Sequence, residues 1–412
     1  MSSTFNHDVM KKENILSVLR CIIEHGPISK RSVKEITGLS WGSVSAISNE
    51  LVKNKIIDES KVYDGHIGRT PLVLDICHDN YLIIGLNFNL DSITGVLMDI
   101  KHNVICTIDR KLTEMDRDNV INQAFYLIDT IYNKYDSDKS KIIGIGIAMQ
   151  ASVDSAKGIS NYTPYYSNWD NVPIVNILKQ KYDIPVFLDH IPNCRALCER
   201  WMGSAKGISN YLFIAISMGI GMSIIINGEI YKGSNGNAGE IGHITMVPDG
   251  KKCVCGNYGC LETLVSVRSI IERAVEGVLS GKDKILEKIL DNNPITDIDI
   301  AMLYKAVNMG DKYCSAIFDE MAVYLGIAIS NIINLFNPEL IIIGGELSQY
   351  ESLFVSKLKE TVEKRTWKSS VKDILVSGLT GNTGAIGAGL ILVQKIFDGE
   401  LELNMKITLQ RA

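Results

Sequence analysis

The sequence predicts an α/β protein that opens with a winged helix-turn-helix. Three observations carry this: three short helices with a glycine turn before the third, a change to strand–helix–strand texture from Tyr81 onward, and 412 residues of which 46% are hydrophobic. A chain of that length and composition buries more than one core.

The first helix is read over residues 11–24, where Ile15, Leu16, Val18, Leu19, Ile22 and Ile23 recur at helical spacing and Gly26-Pro27 stops the run. Ser29 is placed to cap a second helix carrying Val33 and Ile36, and Thr37-Gly38-Leu39 turns the chain. Ser40 caps a third helix with Val44, Ile47 and Leu51 facing inward, which completes a helix-turn-helix. Extended segments at 56–58 and 72–75 flank the polar run Gly65-His66-Ile67-Gly68-Arg69-Thr70-Pro71, as strands flank the tip of a wing.

A new domain begins near residue 77. Residues 82–86 and 93–98 are apolar segments able to pair through a short turn, and a helix over 119–135 leads into a strand at 142–147. Similar blocks recur at 211–231 and 340–345, the latter running into Gly344-Gly345, a turn that lets backbone approach a ligand.

Lys+Arg number 42 against 47 Asp+Glu, so no global basic excess announces nucleic acid or an anionic membrane, and any DNA contact is local. Met1 to Met10 lacks a basic segment followed by an apolar run, and no 18 apolar residues run unbroken, so the expected location is cytoplasmic, with no membrane span. Nine cysteines, three of them between Cys253 and Cys260, favour metal binding over disulfides.

Glu240-Ile241-Gly242-His243, followed by Cys253-x-Cys255-Gly256-x-x-Gly259-Cys260-Leu261-Glu262, resembles the signature of the repressor/ORF/kinase (ROK) family. With a winged helix-turn-helix ahead of it, nearly the whole chain resembles that family's transcriptional repressors, those of xylose and N-acetylglucosamine among them. The resemblance implies a DNA-binding head over 1–76 and a two-lobed actin/hexokinase-like ROK body, its small lobe built from 77–190 plus 385–412 and its large lobe from 191–384.

Three thiolates and an imidazole suit tetrahedral Zn2+, and His243, Cys253, Cys255 and Cys260 supply them, with Gly256 and Gly259 allowing the tight loop. In the family this metal is structural, and four protein ligands leave no open position for a water nucleophile. By the same resemblance Glu240, His243 and Glu262 hydrogen-bond sugar hydroxyls. Carboxylates accept pairs of hydroxyl protons, and a histidine fixed on zinc by one nitrogen offers the other. Asn168-Trp169 stand where relatives carry a sugar-facing loop, and His190 with Asp189 flanks the position of the reacting hydroxymethyl group.

Two departures argue against a kinase. Sugar kinases of this family place an aspartate base about a dozen residues before a Trp-x-Gly; with Trp201-x-Gly203 fixing the register, that position holds Ile191, which accepts no proton. Loss of a general base costs roughly 10²- to 10⁴-fold in rate. On a continued strand Asp189 would share a face with residue 191. Active relatives also carry an Asp-x-Gly-Gly-Thr phosphate loop, for which this chain has Asn87-Phe88-Asn89-Leu90-Asp91.

Residues 1–76 hold ten Lys/Arg and nine Asp/Glu, a net charge of +1 against −6 for the remainder. Binding to double-stranded operator DNA therefore leans on shape, helix N-termini and dimeric avidity. Ser40, Trp41, Ser43, Ser45 and Asn49 are the side chains expected to meet the major groove, and Arg69 a minor groove. The function expected is a sugar-responsive, homodimeric transcriptional repressor of carbohydrate-utilisation genes without kinase activity. The competing readings are an ATP-dependent carbohydrate kinase with a regulatory DNA-binding head, and a repressor whose vestigial pocket takes no ligand. Hydrocarbon at Ile191 favours an effector lacking the hydroxymethyl hydroxyl, such as xylose.

Overall fold

In the computed structural model, which describes residues 2–61, 72–135, 139–367, 373–401 and 403, the head forms where the capping residues sit. Helix α1 (Ser2–His25) gives way at Gly26-Pro27 to the short strand β1 (Ile28–Ser29). The Ser29 hydroxyl accepts the Ser32 amide at 3.1 Å and opens α2 (Lys30–Thr37). Gly38, at φ 69°, ends it in the left-handed region that glycine enters without strain. Ser40 opens α3 (Trp41–Lys53) by accepting the Ser43 amide at 3.1 Å. Val33, Val44, Ile47 and Leu51 are buried, whereas Ile36 is exposed. Strands β2 (Ile57–Lys61) and β3 (Leu72–Ile76) pair antiparallel, and β1 joins the other edge of β3. The wing tip, residues 62–71 with Arg69, lies outside the described residues.

The chain divides into two compact units, Met1–Cys194 with Gly384–Ala412, and Arg195–Thr383. Beyond the head, the first unit continues through β4 (Leu82–Phe88), β5 (Ser92–Asp99), β6 (Val104–Lys111), α4 (Arg117–Lys134) and β7 (Ile142–Met149). A small antiparallel sheet of β8 (Ser152–Asp154), β9 (Ile159–Tyr162) and β10 (Asp170–Val172) precedes α5 (Ile174–Tyr182) and β11 (Val186–His190). Helix α6 (Ile191–Met202) follows directly. The main sheet has the order β11-β7-β4-β5-β6, with β4, β7 and β11 parallel and β4, β5 and β6 antiparallel. All seven residues of β4 are buried, as strands covered on both faces require.

The second unit repeats this pattern. Strands β12 (Tyr211–Ile216), β13 (Ile220–Ile226) and β14 (Glu229–Ile230) are antiparallel. After α7 (Glu262–Val265), α8 (Val267–Leu279), α9 (Lys284–Leu290), α10 (Ile300–Asn308) and α11 (Lys312–Phe336) come β15 (Leu340–Gly344), α12 (Val355–Arg365) and β16 (Asp373–Val376). Strands β12, β15 and β16 are parallel, and the sheet order is β14-β13-β12-β15-β16. Helix α11 is long and apolar enough to cross a membrane, but Ile317, Phe318, Met321, Leu325 and Ile329 are buried in the core of this unit.

The last helix among the described residues, α13 (Thr383–Phe397), is small-residue rich at its start and lies directly on the first sheet. A Cβ at Gly85 would come 1.9 Å from the Ala385 carbonyl oxygen, and one at Gly146 1.8 Å from that of Ala388. Only glycine in β4 and β7 permits this approach of backbone to backbone.

A buried polar cluster ties α9 to α11. Asp283 caps α9 by accepting the Leu286 amide at 2.9 Å, Asp311 caps α11, and the Cys314 thiol donates to Asp283 Oδ2 at 3.1 Å. Burial raises the Asp283 carboxyl above its ordinary range, and the Asp311 carboxyl beside it raises it further. A carboxyl raised on folding contributes stability that is complete below its unfolded value and is lost as pH rises through the folded value. Asp283→Asn retains the cap and removes the ionisation. Its melting temperature should therefore fall less than the parent's as pH rises from the ordinary carboxylate value toward neutrality, measured by thermal unfolding; equal slopes would contradict the arrangement.

Candidate functional site

The Cys-rich loop folds back on itself through its glycines. Gly256 and Gly259 sit at φ 93° and 64°, and the Cys253 amide donates to the Asn257 carbonyl at 2.8 Å. This brings the ligand atoms of His243, Cys253, Cys255 and Cys260 within 4.8 Å of one another. The Cys255 and Cys260 sulfurs are 3.7 Å apart, and Cys253 Sγ lies 3.7 Å from His243 Nδ1. A tetrahedral thiolate centre with metal–sulfur bonds of about 2.3 Å has edges of roughly 3.8 Å, so the donor set fits a metal ion. Burial pushes the Cys253 thiol up to about 12, and a cation among the sulfurs is what favours the thiolate.

With Nδ1 turned toward the sulfurs, His243 Nε2 lies 4.0 Å from Glu240 Oε2, and both side chains are partly exposed. Glu262 opens α7 two residues after Cys260; its Oε2 accepts the Ile220 amide at 3.2 Å. A Cβ on Gly219 would come 2.7 Å from that oxygen. One carboxylate thus braces the β12–β13 turn from the end of the cysteine loop.

In the first unit β11 ends at His190 and α6 begins at Ile191. The strand does not continue, so Asp189 and residue 191 do not share a strand face. Asp189 is instead buried and accepts the His190 amide at 2.8 Å and the Asn193 side-chain amide at 2.7 Å. Ile191 is buried as well. Asn168 is exposed in the left-handed region at φ 57°. Trp169 is a core residue: it is buried, donates its indole N–H to Ser160 at 2.8 Å and meets Tyr166 edge-on at 5.2 Å. Asn87 is the penultimate residue of β4, its amide donating to Asn89 Oδ1 at 2.7 Å.

On the head, Ser40, Trp41 and Asn49 are exposed and Ser43 and Ser45 half-buried. Lys30 Nζ donates to Asn49 Oδ1 at 3.1 Å and pairs with Glu59 at 2.9 Å. An open depression of about 610 Å³ in the first unit, lined by Glu114, Asp116, Tyr162, Tyr165, Tyr166 and Ser167, escaped the sequence. Its two walls lie some fifty positions apart and share no motif. The Asp283–Asp311–Cys314 cluster escaped for the same reason.

A profile of the ROK family matches residues 84–395. The chain is similar to the xylose repressor of Caldicellulosiruptor bescii, 30% identical over 364 residues that cover 88% of this chain and 90% of the relative. The fold superposes on the crystal structure of a ROK family transcriptional regulator, a homologue of the E. coli MLC protein, with a TM-score of 0.80 and 28% identity, covering 95% of this chain and 98% of that one. It also superposes on a ROK family glucokinase from Streptomyces griseus in complex with glucose and AMPPNP, with a TM-score of 0.68 and 23% identity, over 76% of this chain and 99% of that one.

The Glu262 brace is testable by itself. Glu262→Ala, which strands the Ile220 amide, should destabilise the protein by about 1–3 kcal/mol in chemical denaturation, and Glu262→Gln by less. An Ala variant as stable as the parent would show that the bond contributes nothing.

Proposed function

The chain belongs to the ROK family, and on that premise we propose that it is a sugar-responsive transcriptional repressor of carbohydrate-utilisation genes, binding operator DNA as a homodimer and without kinase activity. The observation that carries this reading is the head itself: a capped three-helix fold whose third helix leaves its N-terminal turn exposed, joined to a body that matches the family. Ser40, Trp41, Ser43, Ser45 and Asn49 meet the major groove, where hydroxyls and an amide bond phosphates and base edges and Trp41 covers a thymine methyl. Lys30 holds the Asn49 oxygen, which directs the amide nitrogen outward as a donor. Arg69 enters a minor groove.

Zn2+ held by His243, Cys253, Cys255 and Cys260 is structural; the 3.7 Å ligand spacings support it. It staples the loop between Glu240 and Glu262, so those carboxylates and His243 Nε2 stand ready for sugar hydroxyls. His190 and Asn168 of the first unit are further hydroxyl partners. Absence of a kinase reaction follows from Ile191 and from Asn87, neither of which serves as base or metal-positioning acid. Hydrocarbon at Ile191 leaves a hydroxymethyl group unpaired, at about 1–3 kcal/mol, and so favours a pentose such as xylose over glucose. A DNA-binding role and a thiolate metal site both suit the cytoplasm, away from membranes.

Mobility shifts on a palindromic operator test the reading. Binding should respond to xylose more than to glucose, and Trp41→Ala should weaken it by about 1–3 kcal/mol without changing stability. A protein that binds no DNA, or binds it identically with every sugar, would refute the proposal.

Elemental analysis of reduced, purified protein should find one zinc per chain. Cys255→Ser should lower metal content, thermal stability and operator binding together, because metal binding is coupled to folding of the loop. A Cys255→Ser protein silent in all three would rule out the structural metal.

A further inference from the structure

Helix α13 joins two places that the sequence keeps far apart. At its start, a Cβ on Gly384 would come 2.7 Å from the Asn87 side-chain amide, and one on Gly387 1.9 Å from the Cys194 carbonyl oxygen. Asn87 lies at the end of β4, and Cys194 in the first turn of α6, three residues after Ile191. The far end of this 15-residue helix lies about 20 Å away, at 1.5 Å per residue. There the chain is gripped by the head: Lys12 Nζ donates to the Gly399 carbonyl at 3.0 Å, and the Arg20 guanidinium sits 4.9 Å above the Phe397 ring. A Cβ on Gly399 would lie 3.1 Å from a Leu16 methyl. Lys12, Leu16 and Arg20 are four residues apart and form one stripe of α1. Leu401 and Leu403, just beyond, are buried, and α1 packs in turn against α2 and α3.

We propose that α13 and the residues just after it form the strut through which the effector segment Asp189–Asn193 moves the DNA-binding head. The inference rests on the repressor reading above. The contacts at Gly85 and Gly146 are backbone against backbone, so no side chain can change rotamer to absorb a displacement of α13. Asp189 fixes the first turn of α6 through Asn193, and that turn presses on Gly387 through Cys194. A sugar that rearranges this turn shifts α13 as a body. The grip on α1 carries the shift to α3, whose position against DNA sets operator affinity. Coupling of this kind requires that sugar and operator favour different positions of one rigid element. The grip on α1 combines an exposed amine–carbonyl bond with a cation–π contact on the buried Phe397 ring.

The test is the double variant Lys12→Ala with Arg20→Ala, which releases the grip and touches no proposed DNA or sugar contact. Operator affinity is measured with and without D-xylose, D-glucose and N-acetylglucosamine, and sugar affinity by calorimetry. In the parent protein an effective sugar should change operator affinity by about 5- to 150-fold; in the variant the change should shrink to less than about twofold while sugar affinity stays within about threefold. A variant that keeps the full sugar effect overturns the strut. If the variant binds no operator even without sugar, hydrogen exchange of α1 in the parent decides: altered protection on sugar addition supports the strut, and unchanged protection overturns it. A parent protein indifferent to all three sugars would remove the repressor reading itself, a failure distinct from loss of coupling alone.

Discussion

The contact on which the first unit depends is the meeting of α13 backbone with strands β4 and β7 at Gly85 and Gly146. A parallel sheet buried on both faces ordinarily separates helix and strand by a layer of side chains. Here that layer is missing along one line, and the small residues of α13 fill it. The approach sets where everything else in the unit stands. Asn87 meets Gly384, Cys194 meets Gly387, and the end of the helix reaches α1. Interiors packed without slack transmit displacement because their contacts have no room to yield. On the proposed strut, a binding event beside this element is felt at its other end.

The two units divide the chemistry unequally. The second gathers partly exposed polar side chains around the cysteine loop: Glu240 and His243 ahead of it, and Glu262 behind it, where it braces the Gly219 turn. In the first unit, the positions that the resemblance assigns to phosphoryl transfer are occupied by side chains with structural partners. Asp189 satisfies the opening of α6, Asn87 is tied to Asn89, and Ile191 is packed away. On the reading proposed above, groups that recognise hydroxyls remain while groups that move a proton or position a phosphate do not, and binding energy that a kinase would direct into a transition state is then free to shift a conformational equilibrium.

How much of this was legible follows from the range of each signal. Caps are local, so Ser29, Gly38 and Ser40 marked the head correctly. The candidate metal ligands are nearly local too, and cysteines two and five positions apart with intervening glycines announced their loop. The possibility that a strand continues through Ile191, which would have put Asp189 on its face, does not hold, because α6 begins at Ile191. The signal against it was Pro192, a residue suited to the first turn of a helix. The resemblance placed Trp169 in a sugar-facing loop, whereas its ring is buried, bonded to Ser160 and edge-on to Tyr166. The Asp283–Asp311 cluster and the grip of α1 on α13 had no sequence trace, because the partners lie on separate elements, 387 positions apart for Lys12 and Gly399. The charge of the head was equally uninformative, since a surplus of one says little about where the exposed turn of α3 points.

The central claim is that a body with a sugar-kinase fold has become a sensor. Its most direct test is phosphoryl transfer. Metal-replete protein is incubated with ATP, Mg2+ and each of a panel of pentoses, hexoses and amino sugars, and ADP release is followed against a sugar-free control. The account predicts ADP release at the background rate with every sugar, including those that bind. Sugar-dependent turnover that disappears in Asp189→Asn would contradict it, showing that a base survives beside Ile191 and that the chain is an enzyme.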